Sequence, residues 1–394
     1  MYVTRPLSLF KKNPEAVSAL PPEGPNSGYL VIADKEWEDE ARRFWGLFKD
    51  NRIRDFPFPQ NRILAVEYTQ SNGQSTSTYR DKVLFVPVIG QPLSANRYYA
   101  IRAQGKHKGK ACTCSTEEDM GICCICTYIK DVKPQPFDLT NIYQRMQIRR
   151  RSSGFVARSV VENGFPPLFL RRKGWRLHIS SSQQIPLQEA NGVDFALRNR
   201  HPDFEFPGSD KRRSSAVVAG RWYCPFMFIK EDDTTPKDQM EKSPFYEITL
   251  ERYWEQIYVC DQNSHSNPEN TVTMNTSLQI EVVRLFGEEV MAEDIRVGDG
   301  WARFRTRKSG AERNVGLSSV VLDSMRAEAK RGGWVEMKEK QVRIERADEF
   351  KGNGGWSRYG SYVLVERFVL RRIDGSLVLA HDFRHSHQVQ SKWE

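Results

Sequence analysis

Along most of this chain apolar residues recur at every second position, in short runs bounded by Gly, Pro, Asn and Asp, a period that predicts strands with one face buried. GYLVIAD (28–34), RILAVEY (62–68), KVLFVPVI (82–89), RYYAIRA (97–103) and CTYIKDV (126–132) carry it in the first third. In PPLFLRRKGWRLHIS (166–180), Lys173-Gly174 between two apolar arms predicts a tight hairpin turn. AVVAGRWYCPFMFIKE (216–231), TVTMNTSLQIEVVRLF (271–286) and GWARFRTRK (300–308) continue the pattern. The chain closes on a long hairpin over 362–387, turning at Ile373-Asp374-Gly375.

Three stretches break to a helical period. KEWEDEARRFWGLFKDN (35–51) follows Asp34 as N-cap and places Trp37, Ala41, Phe44, Trp45 and Phe48 on one stripe, acidic residues early and basic ones late. FYEITLERYWEQIYV (245–259) spaces Tyr246, Leu250, Tyr253, Trp254 and Ile257 as a helix would, with a strand as the alternative because aromatics suit both states. VVLDSMRAEAKR (320–331) has both end signals, Ser318 or Ser319 before it and Gly332-Gly333 after it. Few amphipathic helices among many strands predict an α+β fold, β-rich, with mostly antiparallel sheets. The proline-punctuated break after Pro136 predicts two domains: an N-terminal α+β unit, 1–140, holding a cysteine-rich hairpin, and a β-rich C-terminal unit, 141–394.

Composition adds little to this picture. Hydrophobic residues make up 39% and aromatics 11%, enough for sizeable cores in a 394-residue chain. The formal charge is +9, but it is the difference between 59 basic and 50 acidic residues spread throughout, so a solvated basic exterior explains it without a nucleic-acid partner. No apolar run reaches the length of a membrane span, and the N-terminal residues lack the pattern of a secretory signal, which leads us to expect a cytoplasmic or nuclear protein with reduced thiols.

Chemistry-bearing residues concentrate in GKHKGKACTCSTEEDMGICCIC (105–126), with five of the seven cysteines. If 110–114 and 122–126 are strands joined by a loop, Cys112, Cys114, Cys124 and Cys126 share one face and Cys123 lies opposite. Four same-face sulfurs suit tetrahedral Zn, with His107 as a substitute ligand. The spacing lacks the C-x-x-C turn, Ser115 with Glu118 would equally make a capping box, and packing as small hydrophobes is the simpler reading. His381, His385 and His387 fall on one face of a strand and form a weaker metal candidate. Arg150-Arg151-Ser152-Ser153 and Arg212-Arg213-Ser214-Ser215 present serines behind paired arginines, as basophilic kinases prefer; exposed basic loops are the plainer alternative. Basic and aromatic residues interleave in FLRRKGWRLH, GWARFRTRK and RFVLRR, but amphipathic strands give the same alternation, and no RNA-recognition, zinc-finger or helix-turn-helix signature accompanies them. P-loop, dinucleotide-binding, nucleophile-elbow and H-E-x-x-H patterns are missing from the sequence.

Several long motifs taken together carry a resemblance. MYVTRPLSLFKKNP with LPPEGPNSGYLVI, GKHKGKACTCSTEEDM, DVKPQPFD, GRWYCPFMFIKE with MEKSPFYEITLERYWEQIY, and the terminal FRHSHQVQSKWE make the chain similar to the plant family named domain of unknown function 1262. The resemblance implies a land-plant protein in a stress- or defence-responsive setting, and it brings no catalytic residue and no cofactor. The expectation is a protein that binds a protein partner or small ligand. An enzyme with a pocket between sheets, possible zinc dependence included, is the second expectation, and nucleic-acid binding the third.

Overall fold

The computed structural model describes all residues except 41, 44–47, 50, 72–74, 124–125, 181–183, 207–211, 232–233, 263–269, 309–310 and 354. Its spine is Phe245–Asp261, the stretch whose aromatic spacing suggested a helix. It is instead a 17-residue strand paired antiparallel on both sides, with Val217–Pro225 and with Arg358–Arg372. In that position Ile248, Leu250 and Trp254 on one face and Tyr253 on the other are all buried, which explains why apolar residues occupy both helical and strand phases. The sheet runs Gly28–Ile32, Tyr2–Pro6, Val217–Pro225, Phe245–Asp261, Arg358–Arg372, Leu377–Trp393, Glu281–Leu285, Glu288–Glu289. Arg358–Arg372 and Leu377–Trp393 form the C-terminal hairpin foreseen from the sequence. Tyr2–Pro6 and Gly28–Ile32 pair in parallel.

Residues 52–179 build a second sheet of seven strands, in the order Gly154–Ser159, Arg145–Arg151, Arg97–Arg102, Thr76–Pro87, Leu64–Ser71, Arg176–Ile179, Arg52–Ile53. It bends round on itself. Phe155 N–H donates to Trp175 O at 2.8 Å and Gly174 N–H to Phe155 O at 2.9 Å, joining the first strand of that order to the chain just ahead of the sixth. A Cβ on Gly154 would lie 2.2 Å from Trp175 O, so glycine is what lets the two backbones meet. Ile179 N–H donates to Asn51 O at 2.8 Å, so the segment ends where it began. The division expected at residue 140 therefore runs through this barrel-like unit, while strands 2–6 and 28–32 belong to the large sheet.

Two other expectations shift. Lys35–Glu40 is helical, but Arg42–Arg43 pairs with Phe48–Lys49 as a ribbon, so the helix expected over 35–51 stops early; Ala41, Phe44 and Trp45 lie outside the described residues. Aromatics at helical spacing do not distinguish the two states. The first arm of the hairpin expected over 166–180 is one helical turn, Leu168–Arg171, followed by Gly174 at φ +83° and the strand Arg176–Ile179. Ser319–Arg331 is helical as its caps predict, and Ala329, Met325 and Leu322 bury its inner face. Among the described residues no helix is long and apolar enough to cross a membrane.

That helix and the short helix Phe195–Asn199 are fixed to the large sheet through charge. Glu366 is fully buried at the sheet centre. Arg198 donates to its two oxygens through Nε at 3.0 Å and Nη2 at 2.7 Å, Arg252 Nε lies 3.2 Å away and His385 Nε2 3.6 Å. Arg198 also binds the Glu328 carboxylate and, at 2.7 Å, its main-chain oxygen. Burial would raise the Glu366 pKa, but the hydrogen bonds and charge of Arg198, with the His385 imidazole close by, outweigh it and hold it below the usual range. One position along, on the opposite face, buried Asp382 accepts from Arg367 Nε at 2.5 Å and Nη2 at 2.9 Å and pairs with Arg284.

Glu366→Ala leaves buried Arg252 without its carboxylate and Arg198 with Glu328 alone, and is expected to cost about 3–5 kcal/mol in urea unfolding. Glu36→Gln, which breaks the exposed Lys12 pair, is expected to cost less than about 1 kcal/mol. Equal midpoints for the two variants would contradict this assignment.

Candidate functional site

The turn Phe286-Gly287, both residues at positive φ, folds Glu288–Glu289 back on Glu281–Leu285, and Val290 N–H donates to Val283 O at 2.8 Å. The chain then crosses a 3-10 turn, Ala292–Asp294, before Ile295–Gly298 pairs with Trp301–Lys308. Asp294 Oδ1 pins this crossing by accepting from Arg305 Nε at 2.8 Å and Nη2 at 2.6 Å. Between this wall, the edge of the large sheet and the helix Ser319–Arg331 lies a cavity of about 330 Å³. Val283, Val290, Phe304 and Leu322 give it apolar sides, and Met291 and Val297, 58% and 70% exposed, flank its rim.

Three polar side chains converge in it. Glu281 faces inward because it shares the register face of Val283 and Leu285. Its Oε1 accepts from His381 at 2.7 Å and from Arg326 at 2.8 Å (Nη2) and 3.2 Å (Nε), which leaves Oε2 outside those bonds. Burial alone would raise the Glu281 pKa; the hydrogen bond and charge of His381, then of Arg326, outweigh it and bring it to about 2. His381 is 1% exposed, its ring lies 4.4 Å from that of Phe383, and its Nδ1 has no hydrogen-bond partner. The site can therefore hold an apolar body against four hydrophobic side chains and a polar head against a fixed carboxylate–guanidinium–imidazole set.

Of the histidines singled out by spacing, only His381 enters this cavity. On Leu377–Trp393 His385 is buried against Glu366, 3.6 Å away, and His387 lies past a break in register with its ring centroid 5.9 Å from that of His385. Burial, and then the charge of His385, lower the His387 pKa.

The cysteine stretch folds differently from the expected hairpin. Residues 111–115 run as an extended strap: Cys112 N–H donates to Ala100 O and Cys114 N–H to Tyr143 O, and Ser115 bridges Phe165. The hairpin is instead Met120–Cys123 with Cys126–Ile129, and a capped turn precedes it, Asp119 accepting from Thr116 N–H at 2.9 Å, one residue later than the Ser115–Glu118 box. Cys112 and Cys114 are buried in the main apolar core, and burial raises their pKa to about 12 and about 11, so both are protonated thiols. Cys124 lies outside the described residues, as does the side chain of Cys126. His107 sits in the 3-10 turn Gly105–His107, and among the described residues no three His, Cys, Asp or Glu side chains come together as a metal site.

The serine pairs also part company. Ser152 and Ser153 are exposed in the turn between Arg145–Arg151 and Gly154–Ser159. Ser214 is 5% exposed, its Oγ accepting from Trp254 N–H at 2.9 Å, which leaves Ser215 as the exposed member of the second pair. Glu281 and Arg326 were not singled out in the sequence. A carboxylate at an inward position of an alternating strand was the available signal.

A family model described as "Protein of unknown function (DUF1262)" matches residues 23–125, a segment that includes most of the cysteine stretch and none of Glu281, Arg326 or His381. No curated protein matches the chain. Among solved structures, "Crystal structure of Cry35Ab1" is similar at 12% identity, covering 85% of this chain and 90% of that one with a TM-score of 0.45.

Because the folded pKa of Glu281 lies below its unfolded value near ~4.3, its contribution is complete above that value and is lost as pH falls toward about 2. That contribution is on the order of 2–3 kcal/mol. Urea titrations from pH 5 to pH 2 should therefore show a shallower acid decline for Glu281→Gln than for the parent protein, and parallel curves would contradict the assignment.

Proposed function

We propose that the protein binds a small amphipathic molecule in the cavity bounded by Val283, Val290, Phe304 and Leu322, with the polar head of the ligand on Arg326 and Glu281. The observation that carries this reading is the convergence of Glu281, Arg326 and His381 beside the apolar side chains Val283, Val290, Phe304 and Leu322 in a cavity of about 330 Å³, within the ~300–1,000 Å³ range of small-molecule sites. The setting attached to this proposal, a plant stress or defence response, comes from the resemblance of the long motifs alone.

An amphipathic fluorescent probe, anilinonaphthalene sulfonate, is expected to bind saturably at one site. Val290→Trp, which fills the cavity, should weaken it at least tenfold, and Arg326→Met should weaken it less while leaving the apolar walls intact. Probe binding unchanged by Val290→Trp would remove the proposal.

A further inference from the structure

A second concavity has the opposite character. Where the hairpin turn at 152–153 meets the strands Arg52–Ile53 and Arg176–Ile179, a cavity of about 180 Å³ is lined by Arg52, Arg54, Arg150, Arg151 and Arg176 together with Ser152. No acidic side chain is among the lining residues. Asp55 pairs with Arg150 nearby, but both partners are more than half exposed, 59% for Arg150 and 62% for Asp55, where such a pair contributes little. Five guanidinium groups line one hollow, and their planar forks match phosphate oxygens two at a time.

The backbone beneath these arginines is held firmly. Arg150 stands opposite Phe155 in the hairpin, and Arg52 opposite His178. Phe155 is fixed by the bonds that close the barrel and by ring contacts with Phe58 at 5.2 Å, Phe56 at 5.4 Å and Trp175 at 5.2 Å. Pre-set donors lose less entropy on binding than donors on a free loop. The volume is below the ~300 Å³ of sites for drug-sized molecules, so the guest is compact and densely charged.

We propose that this arginine-lined cavity binds a small polyanion bearing clustered phosphates. That chemistry exists in soluble polyphosphorylated compounds and in phosphoinositide head groups. The amphipathic cavity walled by Val283 and Phe304 lies on different strands and would fail or stand independently of it.

Titration calorimetry with inorganic tripolyphosphate, and flotation with phosphatidylcholine vesicles with and without phosphatidylinositol bisphosphate, test it. Saturable 1:1 binding is expected in at least one arm, tripolyphosphate alone marking a soluble ligand and phosphoinositide vesicles a head group. Arg151→Ala with Arg176→Ala should lower affinity at least tenfold without changing the thermal melt, since both side chains are exposed. Arg303→Ala with Arg343→Ala, exposed arginines on other strands, should leave it unchanged. Binding in neither arm, an equal loss in the control pair, or arginine-dependent binding of single-stranded RNA without tripolyphosphate binding would overturn the proposal. If the paired variant melts early, Arg54→Ala alone, exposed and outside the paired strand, takes its place with the same criterion reduced to threefold.

Discussion

The architecture of the larger sheet turns on burying charge at its centre. Glu366 and Arg252 stand opposite each other on neighbouring strands, and Arg198 reaches them from a short helix while also holding Glu328 of the long one. A one-residue slip between Phe245–Asp261 and Arg358–Arg372 would send Glu366 to the other face and leave Arg252 without its carboxylate in the interior. Asp382 with Arg367 applies the same constraint from the reverse side. Apolar side chains could stabilise this sheet as well, but they would tolerate neighbouring registers more readily. Fixing the register also fixes where Ser319–Arg331 lies, and with it the position of Arg326 over Glu281.

The elements legible in the sequence are those in which local and tertiary demands agree. Ser319–Arg331 has end signals and an amphipathic face, and the C-terminal hairpin has an Asp-Gly turn between alternating strands. Phe245–Asp261 was ambiguous because a central strand buried on both faces loses the alternation that distinguishes a strand, and its aromatics then satisfy a helical period too. The cysteine stretch misled for another reason. The first arm of its hairpin begins at Met120, past the capped turn at 116–119, while Cys112 and Cys114 bond to Ala100 and Tyr143 and join a core instead of facing their expected partners.

Site chemistry was legible only where residues cluster along the chain. The arginine-serine motif at 150–153 was visible, although Arg52, Arg54 and Arg176, which complete its hollow, come from distant segments. Glu281, Arg326 and His381 are separated by dozens of residues and meet only through strand register and helix placement. His381 was noticed as one of three histidines, yet what distinguishes it from His385 is the neighbour of each: an open cavity for one, a buried ion cluster for the other.

The bond from Ile179 N–H to Asn51 O has a consequence for how the chain assembles. Tyr2 must pair with Tyr223, closing a loop of about 220 residues at an entropic cost near ~5 kcal/mol for a flexible chain. A barrel that has already folded over 52–179, with its two ends clipped together, shortens the effective loop to about 90 residues and lowers that cost by roughly 0.8 kcal/mol. The barrel thus acts as a knot in a cord, bringing the first and third strands of the large sheet within reach of each other. Damage to the clip would be felt in the rate at which the large sheet forms, far from any residue that the sheet itself contains.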